Sequence, residues 1–64
     1  MTLEQYDYAI NDAFDNYLFY HDQLRASLRR EGRTAKARLY YKRKRHYSLK
    51  HDRLVTEYGS LINS

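Results

Sequence analysis

The three histidines of this chain have its most versatile chemistry, because histidine binds metal ions and exchanges protons near neutral pH. They are His21, His46 and His51. A spacing of five residues places His46 and His51 far apart around a helix, and no HExxH pair occurs. A zinc site would therefore require histidines from different chains together with a carboxylate ligand. We predict no metal site, and we expect His21 and His51 to be hydrogen-bonded structural residues.

The other residue types give little support to covalent catalysis or phosphate binding. The chain has no cysteine, which excludes thiolate nucleophiles and disulfides. Ser27, Ser48 and Ser60 lack the Gly-x-Ser-x-Gly context of a nucleophile elbow. Gly32 is too isolated to belong to a phosphate-binding glycine loop. Because two helices leave little room for a concave pocket, we predict a non-enzymatic protein without a cofactor or a small-molecule substrate.

The N-terminal segment predicts a long helix with a defined start. Thr2 and Gln5 match the capping-box pattern, in which each side chain bonds the backbone N–H of the other residue. Apolar side chains then recur at helical spacing over about residues 3–30. Gly32 suits the position after a helix, because glycine adopts a left-handed conformation without a Cβ clash. We place the connecting turn at residues 31–34.

A second helix of similar length is predicted after the turn. Thr34 can cap its first residue, and helical spacing continues over about residues 35–58. Gly59 predicts its end and leaves a short tail at residues 59–64. A short connection makes successive helices antiparallel neighbours. The sequence therefore predicts an all-α, two-helix antiparallel hairpin that forms a single domain over residues 1–64.

Each predicted helix has one broad apolar stripe when its residues are projected at about 100° per residue. On the first helix the stripe contains Leu3, Tyr6, Ile10, Ala13, Phe14, Tyr17, Tyr20, His21, Leu24 and Leu28. On the second helix it contains Ala37, Tyr40, Tyr41, Tyr47, His51, Leu54, Val55 and Tyr58. We expect these two stripes to form the core of the hairpin.

The second stripe is polar for a core, because tyrosines alternate there with Lys44 and His51. Buried tyrosine hydroxyls and ammonium groups need polar partners. A chain of 64 residues also buries little apolar surface alone. We therefore predict that two hairpins form a homodimeric four-helix bundle; a monomeric hairpin with a polar-rimmed seam is the alternative. The predicted oligomer seam consists of Tyr40, Lys44, Tyr47, His51, Leu54 and Tyr58.

Charge is segregated along the chain, whose net charge is +4. Residues 1–24 contain five carboxylates and no Lys or Arg, whereas all 12 basic residues lie between Arg25 and Arg53. We expect opposite charges to flank the contact between antiparallel helices. The predicted basic face of the second helix comprises Arg38, Lys42, Arg43, Arg45, Lys50 and Arg53. A predicted anion site at the turn comprises Arg29, Arg30, Arg33 and Lys36.

Two aromatic residues fall on the acidic outer face of the first helix. Tyr8 and Phe19 are eleven residues apart, a spacing that returns to nearly the same angle around a helix. Asp12 and Asp15 lie beside them. Aromatic side chains anchor protein interfaces and charged groups form the rim, so these four residues are the predicted partner-binding surface.

The favoured function is a protein–protein interaction module that acts as a regulator, inhibitor or adaptor. A small basic chain of this kind suits an accessory protein of a phage or plasmid that occludes a host factor. The alternative is a non-enzymatic nucleic-acid-binding protein that uses the basic face and the turn, since a pI of about 9.5 is typical of such modules. A structural subunit of a larger assembly is a third possibility. Without a signal peptide or a membrane span, we expect a cytoplasmic protein.

Overall fold

The first helix begins at the capping residues that the sequence predicts. In the computed structural model, which describes residues 1–63, helix α1 spans Leu3–Glu31. The backbone N–H of Gln5 donates to the Thr2 hydroxyl at 3.1 Å, and the backbone N–H of Thr2 donates to the Gln5 side-chain oxygen at 2.7 Å. The predicted capping box is therefore confirmed, and two N–H groups at the helix start are satisfied.

A glycine turn reverses the chain. Gly32 has a φ of 73°, a value that disfavours any residue with a Cβ, and its N–H donates to the Leu28 carbonyl at 3.1 Å. Helix α2 follows and spans Ala35–Ile62. The Thr34 hydroxyl accepts from the Ala37 backbone N–H at 3.2 Å, which confirms the predicted cap. The described residues thus form an all-α hairpin of two packed helices, as predicted.

The predicted end of the second helix is wrong. Helix α2 continues through Gly59 to Ile62, and the N–H of Asn63 donates to the Gly59 carbonyl at 3.1 Å. Gly59 has no positive φ, and glycine inside a helix costs only about 1 kcal/mol relative to alanine, so the helix continues where its hydrogen bonds continue. Most of the predicted tail is therefore helical, and its last residue, Ser64, lies outside the described residues.

The core of the hairpin is narrow and is built from small side chains. Its buried residues are Ala13 and Ser27 on α1 and Ala37 and Leu54 on α2. Small residues let two helix backbones approach closely, but they bury little area. Among residues 1–63, no large side chain is fully buried. The closed apolar core is therefore small, and Leu54 is its one large side chain among the described residues.

Several residues of the two predicted core stripes lie outside this core. Five large apolar side chains of these stripes are exposed over roughly half of their surface: Leu3, Phe14, Leu28, Tyr41 and Val55. One helix can cover only the strip of its neighbour that lies directly under it, whereas each predicted stripe is far wider. The hairpin thus leaves one flank of each stripe uncovered.

Candidate binding surfaces

The contact between α1 and α2, called the seam here, is lined by aromatic rings along most of its length. The rings of Tyr20 and Tyr47 stack with centroids 5.8 Å apart, and Tyr20 also meets Tyr40 at 6.3 Å. Closer to the open end of the hairpin, which is the end away from the turn, the ring of Phe14 lies 5.6 Å from that of His51. These ring pairs support the antiparallel register of the helices, because they recur at successive levels along the contact between α1 and α2.

Basic side chains of α2 lie over tyrosine rings rather than beside carboxylates. The Lys44 ammonium group is 5.7 Å from the centroid of the Tyr17 ring. The guanidinium of Arg43 is 5.6 Å from the Tyr20 centroid and also donates to the Tyr20 hydroxyl at 3.5 Å. A cation over an aromatic face contributes about 0.5–1 kcal/mol at an exposed site. The tyrosines therefore give Lys44 the polar surroundings that a lysine near a seam requires.

All six residues of the predicted oligomer seam lie against α1 of the same chain. Leu54 is buried and the other five are half-buried. In addition to the contacts above, the Tyr58 ring meets the Tyr6 ring edge-on at 6.3 Å. Within a single chain, these side chains are therefore already used to join the two helices.

One polar contact closes the open end of the seam. The Tyr6 hydroxyl donates to the Glu57 carboxylate at 3.2 Å. Partial burial, together with this hydrogen bond and the negative charge of Glu57, raises the pKa of Tyr6 above its ordinary value of 10.0. Each of these effects disfavours the phenolate, so the contact holds while Tyr6 is protonated.

The acidic–aromatic surface of α1, formed by Tyr8, Asp12, Asp15 and Phe19, is open to solvent. Tyr8 is 75% exposed and Phe19 is 54% exposed. Phe19 touches the ring of Tyr20 edge-on at 5.1 Å, which connects this surface to the seam. Both aspartates are exposed as well. The four predicted partner-binding residues are therefore accessible together on one side of the helix.

The basic surface of α2 is formed by Arg38, Lys42, Arg43, Arg45, Lys50 and Arg53. Arg38, Lys42, Arg43, Arg45 and Arg53 are exposed, as predicted for an outer face, whereas Lys50 is half-buried. Arg43 and Lys50 do not simply point away from the core, because Arg43 lies over Tyr20 and the Lys50 ammonium group lies 6.0 Å from the Tyr47 centroid. Both extend along the seam because their alkyl chains can cover a ring while the charge remains in water.

The expectation that opposite charges flank the seam is not met. Among residues 1–63, no Lys or Arg comes within 4.0 Å of a carboxylate, and the one contact of a basic side chain with a carboxylate within that distance joins His51 Nδ1 to Asp52 at 3.5 Å. The seam separates the two charged surfaces with aromatic rings, so their charges do not meet. The cations of α2 and the carboxylates of α1 are therefore not paired with each other and are available to groups outside the chain.

The four basic residues of the turn are all exposed, but only two of them share a cavity. Arg30 and Lys36 line a small depression of about 40 Å³ beside Ser27 and Tyr40. Glu31 lines it as well, which reduces its attraction for anions. Arg29 and Arg33 do not line this depression. The turn is therefore basic without a converged set of cations.

The three histidines do not converge on one another. His51 contacts Asp52 and the Phe14 ring, and His46 lies edge-on to Tyr47 at 5.0 Å. The expectation of a hydrogen-bonded His21 is wrong: its Nδ1 has no hydrogen-bond partner in residues 1–63, and its ring stacks on Tyr17 at 6.0 Å instead. No group of three histidine, aspartate or glutamate side chains in the described part of the chain is arranged to hold a metal ion.

An apolar face along one side of the hairpin escaped the sequence reasoning. Phe14 borders a groove of about 220 Å³ and Tyr41 borders one of about 260 Å³; Tyr17 and Ser48 line both grooves, which places Phe14 and Tyr41 on the same side. Its signal in the sequence is a repeat of seven residues that lies one position after the seam residues Tyr40, Tyr47 and Leu54, which are themselves seven residues apart. On α1 this repeat contains Phe14, His21 and Leu28, and on α2 it contains Tyr41, Ser48, Val55 and Ile62. The exposed members of the apolar face, including helical neighbours of the repeat, are Leu3, Phe14, Leu18, Leu28, Tyr41, Val55 and Ile62.

Neither helix in residues 1–63 has the apolar length that crossing a bilayer requires. Comparison with family models, with curated proteins and with solved structures finds no match to this chain. The surfaces of the hairpin are therefore the basis for any statement about its function. Two are charged, one on each helix, and a third is apolar and belongs to both helices.

Proposed function

We propose that this chain is a non-enzymatic protein–protein interaction module that acts as a regulator, inhibitor or adaptor. The observation that supports it is the pair of exposed aromatic side chains on the outer face of α1, Tyr8 and Phe19. A single exposed apolar residue is ordinary. Two aromatic rings on one helix face, beside Asp12 and Asp15, match the arrangement of an apolar anchor with a charged rim.

The proposed mechanism is occlusion of a partner surface. A partner with an apolar pocket and a basic rim complements the acidic–aromatic surface of α1. The unpaired carboxylates would speed encounter with such a partner, because complementary charge raises association rates more than it raises affinity. An accessory protein of a phage or plasmid that blocks a host factor in the cytoplasm would use the surface in this way.

Comparative capture tests the proposal. The wild-type chain, a Phe19→Ser variant and a Leu49→Ser variant are immobilised at equal density, and bound protein is quantified. Leu49 is the matched control, because it is an exposed apolar residue on the other helix. We expect the wild type and Leu49→Ser to retain the same partner, and Phe19→Ser to lose at least about 30-fold in affinity, the cost of a hot-spot residue. Equal retention by both variants, with unchanged helicity, would contradict the proposed surface.

We also propose that two hairpins associate into a homodimeric four-helix bundle. The support is the small core: the buried apolar residues within the described part of one chain are Ala13, Ala37 and Leu54. Chains of this length usually need an additional source of stability, and this one has no cysteine for a disulfide. A solution mass equal to one chain at tens of micromolar would contradict the dimer.

A nucleic-acid-binding role is the second candidate, and the unpaired cations of α2 favour it. Phosphate contacts by Lys and Arg release counterions, so affinity for nucleic acid falls steeply as salt rises. Fluorescence anisotropy with duplex and single-stranded oligonucleotides at two salt concentrations would separate the candidates. The control variant replaces four cations with glutamine: Arg38, Lys42, Arg45 and Arg53. Binding tighter than roughly 1 µM near physiological salt that this variant abolishes would support the nucleic-acid role; binding that vanishes at that salt would favour the protein partner.

A further inference from the structure

The hairpin exposes more surface than a folded chain of its mass is expected to expose. Its accessible surface is 5120 Å². The usual scaling of surface with mass gives roughly 4,400 Å² for a monomer of 7.8 kDa. The excess is roughly 700 Å², close to the ~800 Å² that each partner contributes to a stable interface. An elongated shape of 48 × 14 × 13 Å itself raises the surface of a chain, and the excess has the size of one dimer contact.

The apolar face has the size and composition of such a contact. The chain measures 48 × 14 × 13 Å, so one full side of the hairpin offers roughly 700 Å² per chain, near the ~800 Å² per partner of a standard interface. The opposite side is unsuitable, because charged groups including Arg43, His46, Lys50 and Arg53 lie along it. One side of the hairpin therefore has most of the exposed apolar side chains, with Lys44, Arg45 and Asp52 also lining its two grooves, whereas the other side is mainly charged.

The apolar side chains of this face are spaced as on a surface that packs against helices, rather than as in a pocket for a short ligand. Phe14 and Leu28 are separated by two intervals of seven residues on α1, as are Tyr41 and Val55 on α2. A repeat of seven residues keeps side chains on one line along a helix that packs against another helix. The two lines run side by side, so the complementary surface is itself a pair of antiparallel helices.

Building on the proposed dimer, we infer that a second copy of this chain covers the apolar face, with α1 of each hairpin lying over α2 of its partner. A two-fold axis can place α1 over either the partner's α1 or the partner's α2, and these two arrangements differ in which charges meet. Superposing α1 on the partner's α1 would bring like charges together along both helix pairs. Neighbouring helices are antiparallel in both arrangements, but placing α1 over the partner's α2 brings carboxylates to cations.

The relative level of α1 and α2 within one chain also determines which charged residues meet between the two chains of the dimer. The Tyr20–Tyr47 ring contact sets the levels of the two helices, so Asp15 and Asp22 lie at the level of residues 45–52. An axis parallel to the helices preserves that level between chains. The aspartates of one copy therefore border the basic segment of the other, across an interface lined by aromatic and aliphatic side chains together with Lys44.

Sedimentation equilibrium of two charge variants tests which face is covered. Tyr41→Lys places a cation in the apolar face, and Leu39→Lys places one on the other flank of the same helix; Tyr41 is 52% exposed and Leu39 is 45% exposed. We expect the wild type and Leu39→Lys to have twice the chain mass of 7.8 kDa. We expect Tyr41→Lys to raise the dimer dissociation constant at least roughly 100-fold, because the interface contains the substituted residue twice. Val55→Glu, checked by circular dichroism like the others, should act in the same way as Tyr41→Lys.

The outcomes separate the inference from the proposed function. A monomeric wild type would overturn both the dimer and its face, while the capture experiment with Phe19→Ser would still test partner binding. A dimeric wild type with equal dissociation constants for Tyr41→Lys and Leu39→Lys would overturn the apolar face alone. The chain has no cysteine, so single cysteines at Leu18 and Ser48 test the orientation. We expect a disulfide between a Leu18→Cys chain and a Ser48→Cys chain; disulfides between identical chains instead would overturn the placement of α1 over the partner's α2.

Discussion

Leu54 should account for a large share of the stability of the hairpin. It is 6% exposed and is the one large apolar side chain among residues 1–63 that is buried. Leu→Ala in a core usually costs about 2–5 kcal/mol, and the lower part of that range, about 2–3 kcal/mol, is expected here because the surrounding tyrosines are half-exposed and can relax. The total stability of a domain this small is only about 3–5 kcal/mol. Leu54→Ala should therefore remove half or more of it.

Urea denaturation followed by circular dichroism measures this loss. All variants are compared at one protein concentration, because association shifts apparent stability. The control is Leu39→Ala, since Leu39 is exposed on the same helix and surface substitutions usually change stability by less than about 0.5 kcal/mol. We expect a large fall in the urea midpoint for Leu54→Ala alone, with an unchanged slope. Equal midpoints for the two variants would refute the placement of the core at Leu54.

Three further predictions concern the turn, the second cap and the open end of the seam. Gly32→Ala should destabilise the hairpin by about 1–3 kcal/mol, because φ 73° and ψ −151° lie in a region that residues with a Cβ rarely adopt. Gly59→Ala, with open space around the added Cβ, should stabilise the hairpin by about 1 kcal/mol in the same urea assay. A shift of equal sign would contradict the two backbone assignments. Thr34→Ala should cost about 1 kcal/mol by removing the hydroxyl that accepts from the start of α2, and a melting temperature equal to that of the wild type would argue against the cap. Tyr6 has a raised pKa in the folded chain, so its contribution is complete below the unfolded value near 10.0 and is lost as pH rises through the folded value. Stability should accordingly fall on the alkaline side of pH 10, less so in Tyr6→Phe, and an identical alkaline profile for the variant would contradict the Glu57 contact.

The sequence predicts the helices of this protein well, because local chemistry determines where they start and turn. The hydroxyl of Thr2, the hydroxyl of Thr34 and the positive φ of Gly32 each act within a few residues of their own position. The end of α2 was harder to predict, since a glycine weakens a helix by an amount that neighbouring hydrogen bonds can offset. Gly59 has the residue type of a helix terminator without its conformation.

The surfaces were predicted only in part, because a helical projection does not give the width of the strip that one neighbour covers. Phe14 and Tyr41 fall within the apolar stripes of the sequence, yet half of each side chain remains exposed beside a single packed helix. The projection likewise placed Arg43 on an outer face, whereas its long side chain reaches back to Tyr20. The exposure of Tyr8 and Phe19 was predictable, because the helical projection places both residues far from the apolar stripe of α1.

Photo-crosslinking at position 19 tests the proposed protein-binding role most directly. A photoreactive phenylalanine analogue replaces Phe19 in one chain and Leu49 in a control chain, both positions being exposed. Each chain is produced in the cells that naturally contain it and is illuminated there. If the acidic–aromatic surface binds a protein, position 19 will form one discrete protein adduct that position 49 does not form. The same adducts from both positions, or adducts to nucleic acid alone, would contradict the proposal.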